Sequence, residues 1–165
     1  MTTNRDRFTA CGPRVAQTAR TGCESGRPDV PRIEVTAAVI ERDGAFLLTR
    51  RLDGTHLEGY WEFPGGKRHD GESLPECLAR EIREELDAEI LVGDLIHATS
   101  HDYPERTVAL HFFRCTLITK PRPVLGQEMR WVPLAALPGF ALPPADDELV
   151  SMLMRAAPAT KSIRD

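Results

Sequence analysis

The pattern of hydrophobic residues divides the chain into an N-terminal segment without periodicity and a longer region of short predicted strands and helices. Residues 1–31 show no sustained period and contain Gly and Pro throughout, so we expect a flexible tail there. We expect one domain over residues 32–157 and a short C-terminal tail over 158–165. Apolar runs bounded by turn signals predict strands at 33–40, 45–49, 61–63, 90–92, 95–101, 107–118 and 130–132. Strands outnumber helices, which predicts an α+β or layered mixed-sheet domain.

One helix is predicted clearly. Ser73 and Glu76 have the spacing of a capping box, and Pro75 falls in the first turn, where proline is tolerated. A single apolar stripe then recurs every four residues, at Leu74, Leu78, Ile82 and Leu86. Downstream, the pattern predicts one helical turn at 134–137 and a last helix from about 145 to 155. Upstream, the predicted strand 61–63 ends at Pro64, Gly65 and Gly66.

Composition narrows the class of partner. In 165 residues, 41% are hydrophobic and 28% charged, which are globular values, and no apolar run approaches the roughly 20 residues of a membrane span. The net charge of −4 argues against a polymeric nucleic acid as partner. Residues 1–32 carry +3 and the remainder −7, so an anionic ligand of the domain would need a cation in between. None of the four cysteines has zinc-ligand spacing, and we expect a reducing, cytoplasmic location.

Three carboxylates of the predicted helix carry the candidate chemistry. Glu81, Glu84 and Glu85 share one face, and Glu81 and Glu85 flank the apolar stripe, at the edge of the core. Like charges this close repel, and hard oxygen ligands in this number suit Mg²⁺ or Mn²⁺. The alternative is an ordinary solvated face in which Arg80 and Glu84 form a surface pair.

The surrounding residues favour the metal site. Gly66, five residues, Glu72, seven residues and then the run Arg80-Glu81-Ile82-Arg83-Glu84-Glu85 resemble the signature of the Nudix hydrolases. The segments 49–51, 62–67, 103–106 and 143–146 resemble the MutT-type branch, so the likeness covers about residues 33–155. One position departs: Asp87 stands where the family has the glycine that ends the helix, and we expect the fold to survive this change.

This resemblance implies a fold, a reaction and roles for individual residues. The fold is a mixed β-sheet sandwiched between helices, and the reaction is Mg²⁺-dependent hydrolysis of nucleoside triphosphates, such as 8-oxo-dGTP, to monophosphate and pyrophosphate, which serves nucleotide-pool sanitation. The implied metal ligands are Glu81, Glu84, Glu85 and the Gly65 carbonyl. Arg80 orients these carboxylates and Glu72 supports them; the general base is Glu81, with Glu85 as second choice. Substrate contacts are expected from Arg51, Arg106, Lys67 and Asp146.

Two departures leave the substrate open. The branch reads oxidised guanine with an Asn where this chain has Asp146, and an ionised Asp only accepts hydrogen bonds. Asp146 would also suit the 4-amino group of cytosine, so hydrolysis of CTP or a modified dCTP is the alternative. A further metal-site Glu of the branch is replaced by Leu125, with Glu128 the nearest acid. A nucleotide-sensing module without turnover is a third possibility, and the chain is expected to be a monomer or homodimer.

Overall fold

A computed structural model describes residues 30–156 of the chain, so most of the two predicted tails lies outside the described residues. Between residues 30 and 156 there are seven strands. They are β1 Arg32–Arg42, β2 Ala45–Arg50, β3 Trp61–Glu62, β4 Gly65–Lys67, β5 Ile90–Tyr103, β6 Arg106–Leu117 and β7 Met129–Pro133. The helices are α1 Leu74–Leu86 and α2 Asp147–Ala156, with 3-10 helices at Leu134–Gly139 and Pro144–Asp146. No helix in this part of the chain is long and apolar enough to cross a membrane.

The sheet is mixed and centred on β1. Over residues 32–40, β1 runs parallel to β6, which pairs antiparallel with the edge strand β5. On its other side β1 pairs antiparallel with β4 at residues 35–37 and with β2 at residues 41–42. Strands β3 and β7 both pair antiparallel with β2. Because β4 is held against the middle of β1, the two glycines of the predicted signature lie within the sheet.

Each face of the sheet is covered by one helix. On one face α1 packs the stripe Leu78, Ile82 and Leu86 against Ala38 and Ile40 of β1. On the other face α2 packs Leu149, Val150 and Leu153 into a second core with Phe46, Phe63 and Phe112. The predicted fold class, a mixed sheet sandwiched between helices, is therefore confirmed.

Local signals set both ends of α1. The Ser73 hydroxyl accepts from the Glu76 amide, and the Glu76 carboxylate accepts from the Ser73 amide, so the predicted capping box is present. The helix ends at Asp87 in the left-handed conformation (φ 45°), with its amide bonded to the Arg83 carbonyl. Asp tolerates this conformation better than most residues, and the Asp87 carboxylate pairs with Arg122. The departure from glycine thus keeps the helix end, as expected.

The local structure differs from the prediction at three places. Gly65–Lys67 is a strand that was not predicted, since the glycine backbone pairs with residues 35–37 of β1. The predicted strands 90–92 and 95–101 are one strand with register shifts between residues 92 and 97. The last helix begins at Asp147, because the prolines before it favour a 3-10 turn at Pro144–Asp146. In the first two cases the pairing partner is distant in sequence, so the local pattern did not indicate it.

Candidate active site

Two adjoining cavities open along β1, β3 and β4. The first, which we call the carboxylate cavity, has a volume of about 260 Å³ and is lined by Glu62, Glu85, Gly65 and Gly66 among others. The second, the aromatic cavity, has a volume of about 380 Å³ and is lined by His56, Tyr103 and Asp146 among others. Six residues line both cavities: Val35, Arg51, Thr55, Glu62, Gly65 and Lys67. The two cavities are therefore adjacent, and we refer to them together as the cleft.

Arg80 is the centre of the acidic cluster on α1. Its Nε lies 2.6 Å from Glu72 Oε1, and its Nη1 lies 2.8 Å from Glu81 Oε1 and 3.1 Å from Glu84 Oε2. Its Nη2 donates to the Lys67 carbonyl at 3.1 Å. Hydrogen bonds from Arg80 lower the pKa of Glu72 to about 2, and the same bonds raise the pKa of Arg80. The guanidinium thus ties α1 to β4 and orients three carboxylates.

The two glycines of β4 allow the closest approaches at the site. A Cβ on Gly66 would lie 2.3 Å from the carboxyl carbon of Glu81, so this side chain rests directly on the glycine. A Cβ on Gly65 would lie 2.0 Å from the Thr36 carbonyl oxygen of the neighbouring strand. Only glycine fits at either position without movement of a neighbour, which explains the two consecutive glycines.

Glu85 lies apart from the Arg80 network and faces the carboxylate cavity. Burial, followed by repulsion from Glu62 and Glu81, raises its pKa to about 7. Glu62 is paired with Arg51, yet burial raises its pKa as well. Glu62 and Glu85 thus place two carboxyls at a cavity wall that Arg50, Arg51 and Lys67 also line, and these carboxyls are hard oxygen donors.

These donors fit a divalent cation in chemistry, although their side chains do not converge on one point. Within residues 30–156, no three acidic, His or Cys side chains are already arranged as a set of metal ligands. The reason lies in Arg80, which holds Glu81 and Glu84, while Glu85 points into the cavity. The carboxylates of Glu81, Glu84 and Glu85, with the nearby Gly65 carbonyl, are the residues that could hold such an ion.

The predicted substrate residues line the same cleft. Arg51 and Lys67 line both cavities, whereas Arg106 and Asp146 line the aromatic cavity only. Asp146 is 3% exposed, and its pKa is raised to about 7 by burial and by the charge of Glu62. The Tyr103 ring stands at the cavity wall, with the His56 ring edge-on at 5.9 Å.

Two residues of the cleft were not assigned a role from the sequence. Glu62 lines both cavities; the only local signal is its charge between two buried aromatic residues, Trp61 and Phe63. Gln127 donates from Nε2 to the Glu85 carbonyl at 2.9 Å and so anchors the loop before β7, and nothing in the local pattern indicates this contact.

The question of the missing loop carboxylate has a structural answer. Leu125 lines the carboxylate cavity at the position where the branch has its further Glu. The Glu128 carboxylate is engaged elsewhere, by Arg50 at 2.6 Å and Arg130 at 3.0 Å, which lower its pKa. In this conformation Glu128 does not take the place of that Glu.

Comparison with known proteins places the chain in a family. Residues 35–152 match the model of the NUDIX domain. The chain is 37% identical over 132 residues to the CTP pyrophosphohydrolase of Escherichia coli K12, covering 76% of this chain and 95% of that protein. It is 34% identical over 124 residues to the 8-oxo-dGTP diphosphatase of Haemophilus influenzae, covering 74% and 91%.

Solved structures agree with this placement. The solution structure of the E. coli ORF135 protein superposes with a TM-score of 0.69 at 34% identity, covering 79% of this chain and 96% of that one. The crystal structure of the MutT protein from Methanosarcina mazei Go1 gives a TM-score of 0.70 at 28% identity, covering 78% and 97%. The motif on α1, the sheet and these matches all agree: the chain belongs to the Nudix family and is a Nudix hydrolase of the MutT type.

Proposed function

We propose that the protein hydrolyses nucleoside triphosphates, 8-oxo-dGTP foremost, to the monophosphate and pyrophosphate, with Mg²⁺ as cofactor and Mn²⁺ as a substitute. The observation that carries the proposal is the adjacency of the two cavities. A cavity beside α1 that holds both carboxyls and cationic side chains, suited to a metal and phosphates, adjoins an aromatic cavity lined by the buried Asp146. That arrangement matches a ligand with a polyanionic tail and a flat aromatic head.

The cation would be held by Glu81, Glu84, Glu85 and the Gly65 carbonyl. When bound, such an ion neutralises phosphate charge and acidifies water. Arg80 keeps the carboxylates of Glu81 and Glu84 in position, and Glu72 fixes the opposite side of the same guanidinium.

The chain's own residues account for the proton and the leaving group. A water oxygen forms a bond to phosphorus, the phosphoanhydride bond to the leaving pyrophosphate breaks, and the water proton passes to a carboxylate. Glu81 is our first candidate for this proton acceptor and Glu85, which faces the cavity, is the second. Arg51 and Lys67 line both cavities, where they can balance phosphate charge, and Arg106 lines the aromatic cavity.

The test is pyrophosphate release from 8-oxo-dGTP with and without Mg²⁺, in the parent and in Glu81→Gln and Glu85→Gln. We expect the parent to depend on the metal and Glu81→Gln to lose most of its turnover. The exposed Glu89→Gln, beyond the end of α1, serves as control. Equal turnover in Glu81→Gln and the parent would refute the assigned mechanism, and nucleotide binding without product would favour a sensing module.

Hydrolysis of CTP or a modified dCTP is the second candidate. Two observations favour it: the carboxyl of Asp146 in the wall of the aromatic cavity, and the likeness to the E. coli CTP pyrophosphohydrolase over 76% of this chain. A panel of 8-oxo-dGTP, dGTP, dCTP and CTP separates the two candidates, since each predicts a different preferred base.

The partner we propose is a small nucleotide and neither a polymeric nucleic acid nor a membrane, given the net charge of −4. We further propose a cytoplasmic enzyme that acts as a monomer or homodimer. Gel filtration with light scattering distinguishes the two states.

A further inference from the structure

Asp146 is a buried acid in the wall of the aromatic cavity. It ends the 3-10 helix Pro144–Asp146 and is 3% exposed, yet it lines the aromatic cavity. Within residues 30–156, no group donates a hydrogen bond to its carboxyl oxygens. A buried carboxylate normally has such donors, because ionisation away from water is costly without them. Its unused hydrogen-bonding capacity is therefore directed at whatever enters the cavity.

The charges around Asp146 oppose its ionisation. Glu62 on β3 and Asp147 at the start of α2 are both acidic, and they act in the same direction as burial. Arg51 is the cation that counteracts them, but its guanidinium already pairs with Glu62 and donates to the His56 carbonyl. Together these influences raise the pKa of Asp146 to about 7. The other titratable residues that line the cavity are His56, Lys67, Tyr103 and Arg106.

We propose that Asp146 reads the nucleobase as a neutral carboxylic acid, and that loss of this proton changes the preference of the site from oxidised guanine to cytosine. The inference rests on the proposed function and deepens it. A neutral carboxyl has one donor, the O–H, and one acceptor, the C=O. The adjacent O6 and N7–H of 8-oxoguanine are one acceptor and one donor, so the two edges are complementary. In ordinary guanine N7 carries no hydrogen, and the carboxyl C=O would face a lone pair.

The ionised form has the opposite preference. A carboxylate presents acceptors only, so it repels O6 of guanine and accepts from the 4-amino group of cytosine. Asp146 thus accounts for both candidate substrates, because its protonation state decides which base it can bind. The amide of Asn has the donor and acceptor of the neutral acid but does not titrate, so Asp146→Asn fixes the first state permanently.

The experiment is the ratio of kcat/KM for 8-oxo-dGTP to kcat/KM for CTP between pH 6 and pH 8, with saturating Mg²⁺. The ratio cancels pH effects on metal binding and on the general base, which both substrates share. We expect the ratio to fall about tenfold or more in the parent, since a group with a pKa near 7 changes from mostly neutral to mostly ionised over this range. In Asp146→Asn the ratio stays high and flat.

Asp147→Asn is the matched control. It removes a neighbouring negative charge from an exposed side chain and leaves the carboxyl of Asp146 in place. We expect its ratio to fall as in the parent, with the midpoint moved to lower pH. As a second readout, calorimetry in two buffers of different ionisation enthalpy measures proton uptake when 8-oxo-dGMP binds at pH 8. The parent should take up more protons than Asp146→Asn.

The outcomes separate this inference from the proposed function. A flat ratio in the parent, or an equal fall in Asp146→Asn, overturns the inference while triphosphate hydrolysis stands. Equal proton uptake by the parent and Asp146→Asn also overturns it. If no triphosphate is hydrolysed at any pH with Mg²⁺ or Mn²⁺, the proposed function itself fails.

Discussion

At the scale of single residues, the site depends on Arg80 more than on any one carboxylate. Arg80 contacts Glu72, Glu81, Glu84 and the backbone of Lys67, so a single planar fork sets the positions of three acids and one strand. Its side chain is only 20% exposed, which limits competition from water. A lysine has one charged nitrogen and cannot reproduce this geometry.

We therefore expect Arg80→Lys to lower kcat/KM by on the order of tenfold or more, because lysine keeps the positive charge but lacks the planar guanidinium that binds several acceptors at once. The Mg²⁺ concentration for half-maximal activity should rise, since Glu81 and Glu84 lose their fixed positions. Steady-state kinetics at varied Mg²⁺ measures both effects. Arg83→Lys, exposed on the same helix, is the control; wild-type kinetics in Arg80→Lys would contradict the role given to Arg80.

Alanine substitutions at the two glycines of β4 should have different effects on activity and stability. In Gly66→Ala the new methyl group meets the flexible end of Glu81, so the carboxylate moves and activity falls while stability changes by less than about 1 kcal/mol. In Gly65→Ala it meets the backbone of β1, which costs roughly 2 kcal/mol or more. Urea unfolding and turnover, compared with the uncrowded control Gly139→Ala, test this; equal stability loss in both variants would refute the distinction.

At the scale of elements, the end of α1 and the loop before β7 form one unit. The amides of Arg122 and Val124 donate to the carbonyls of Leu86 and Glu85, and Gln127 adds a side-chain bond to the same Glu85 carbonyl. These bonds satisfy carbonyls that a helix end leaves without partners. The loop that carries Leu125 to the cavity is thus positioned by the helix that carries the candidate metal ligands.

Asp87 at this junction gives a prediction about stability. Glycine has no steric penalty at φ 45°, and the Asp87–Arg122 pair is too exposed to contribute more than about 1 kcal/mol. We expect Asp87→Gly to raise the free energy of unfolding by about 0.5 kcal/mol and the β-branched Asp87→Val to lower it by about 1–2 kcal/mol. Urea titration measures both, with Arg122→Ala as control for the ion pair. A marked loss of stability in Asp87→Gly would show that the Asp87–Arg122 ion pair contributes more than glycine gains from its freedom at this φ.

At the scale of the whole molecule, the buried carboxyls of the cleft make the stability of the folded protein depend on pH. The pKa of Asp146 is raised to about 7, above its ordinary value near 4, so the folded protein binds a proton that the unfolded chain has released. The stability linked to Asp146 is therefore fully present below about pH 4 and is lost as the pH rises through 7. Glu85, whose pKa is also raised to about 7, acts in the same direction.

We expect Asp146→Asn to be more stable than the parent, and the difference in the free energy of unfolding to grow from pH 5.5 to pH 8 by about 1–2 kcal/mol. An amide has no proton to lose in this range, so the variant lacks the part of the slope due to Asp146. Urea unfolding at several pH values measures it, and Asp147→Asn is again the control. A difference that stays constant with pH would contradict the raised pKa.

Much of the architecture followed from local pattern. The stripe on α1 and its capping box are set by neighbours in sequence, and the structure contains both. Strand β4 was missed because two glycines carry no alternating side chains, so only their pairing with β1 defines a strand.

The sequence by itself determined the family motif, the α+β class of the domain, and which carboxylates share one helix face, because these depend on periodicity and spacing along the chain; the sheet between helices was implied by the family resemblance. Only the tertiary structure decided which side chains that are distant in sequence come into contact. It brought Arg80 to the backbone of Lys67, placed Glu85 at a cavity that Glu62 also lines, and buried Asp146. Desolvation and the electric field of distant residues arise only when the chain is packed, so the protonation of the cleft is a property of the fold.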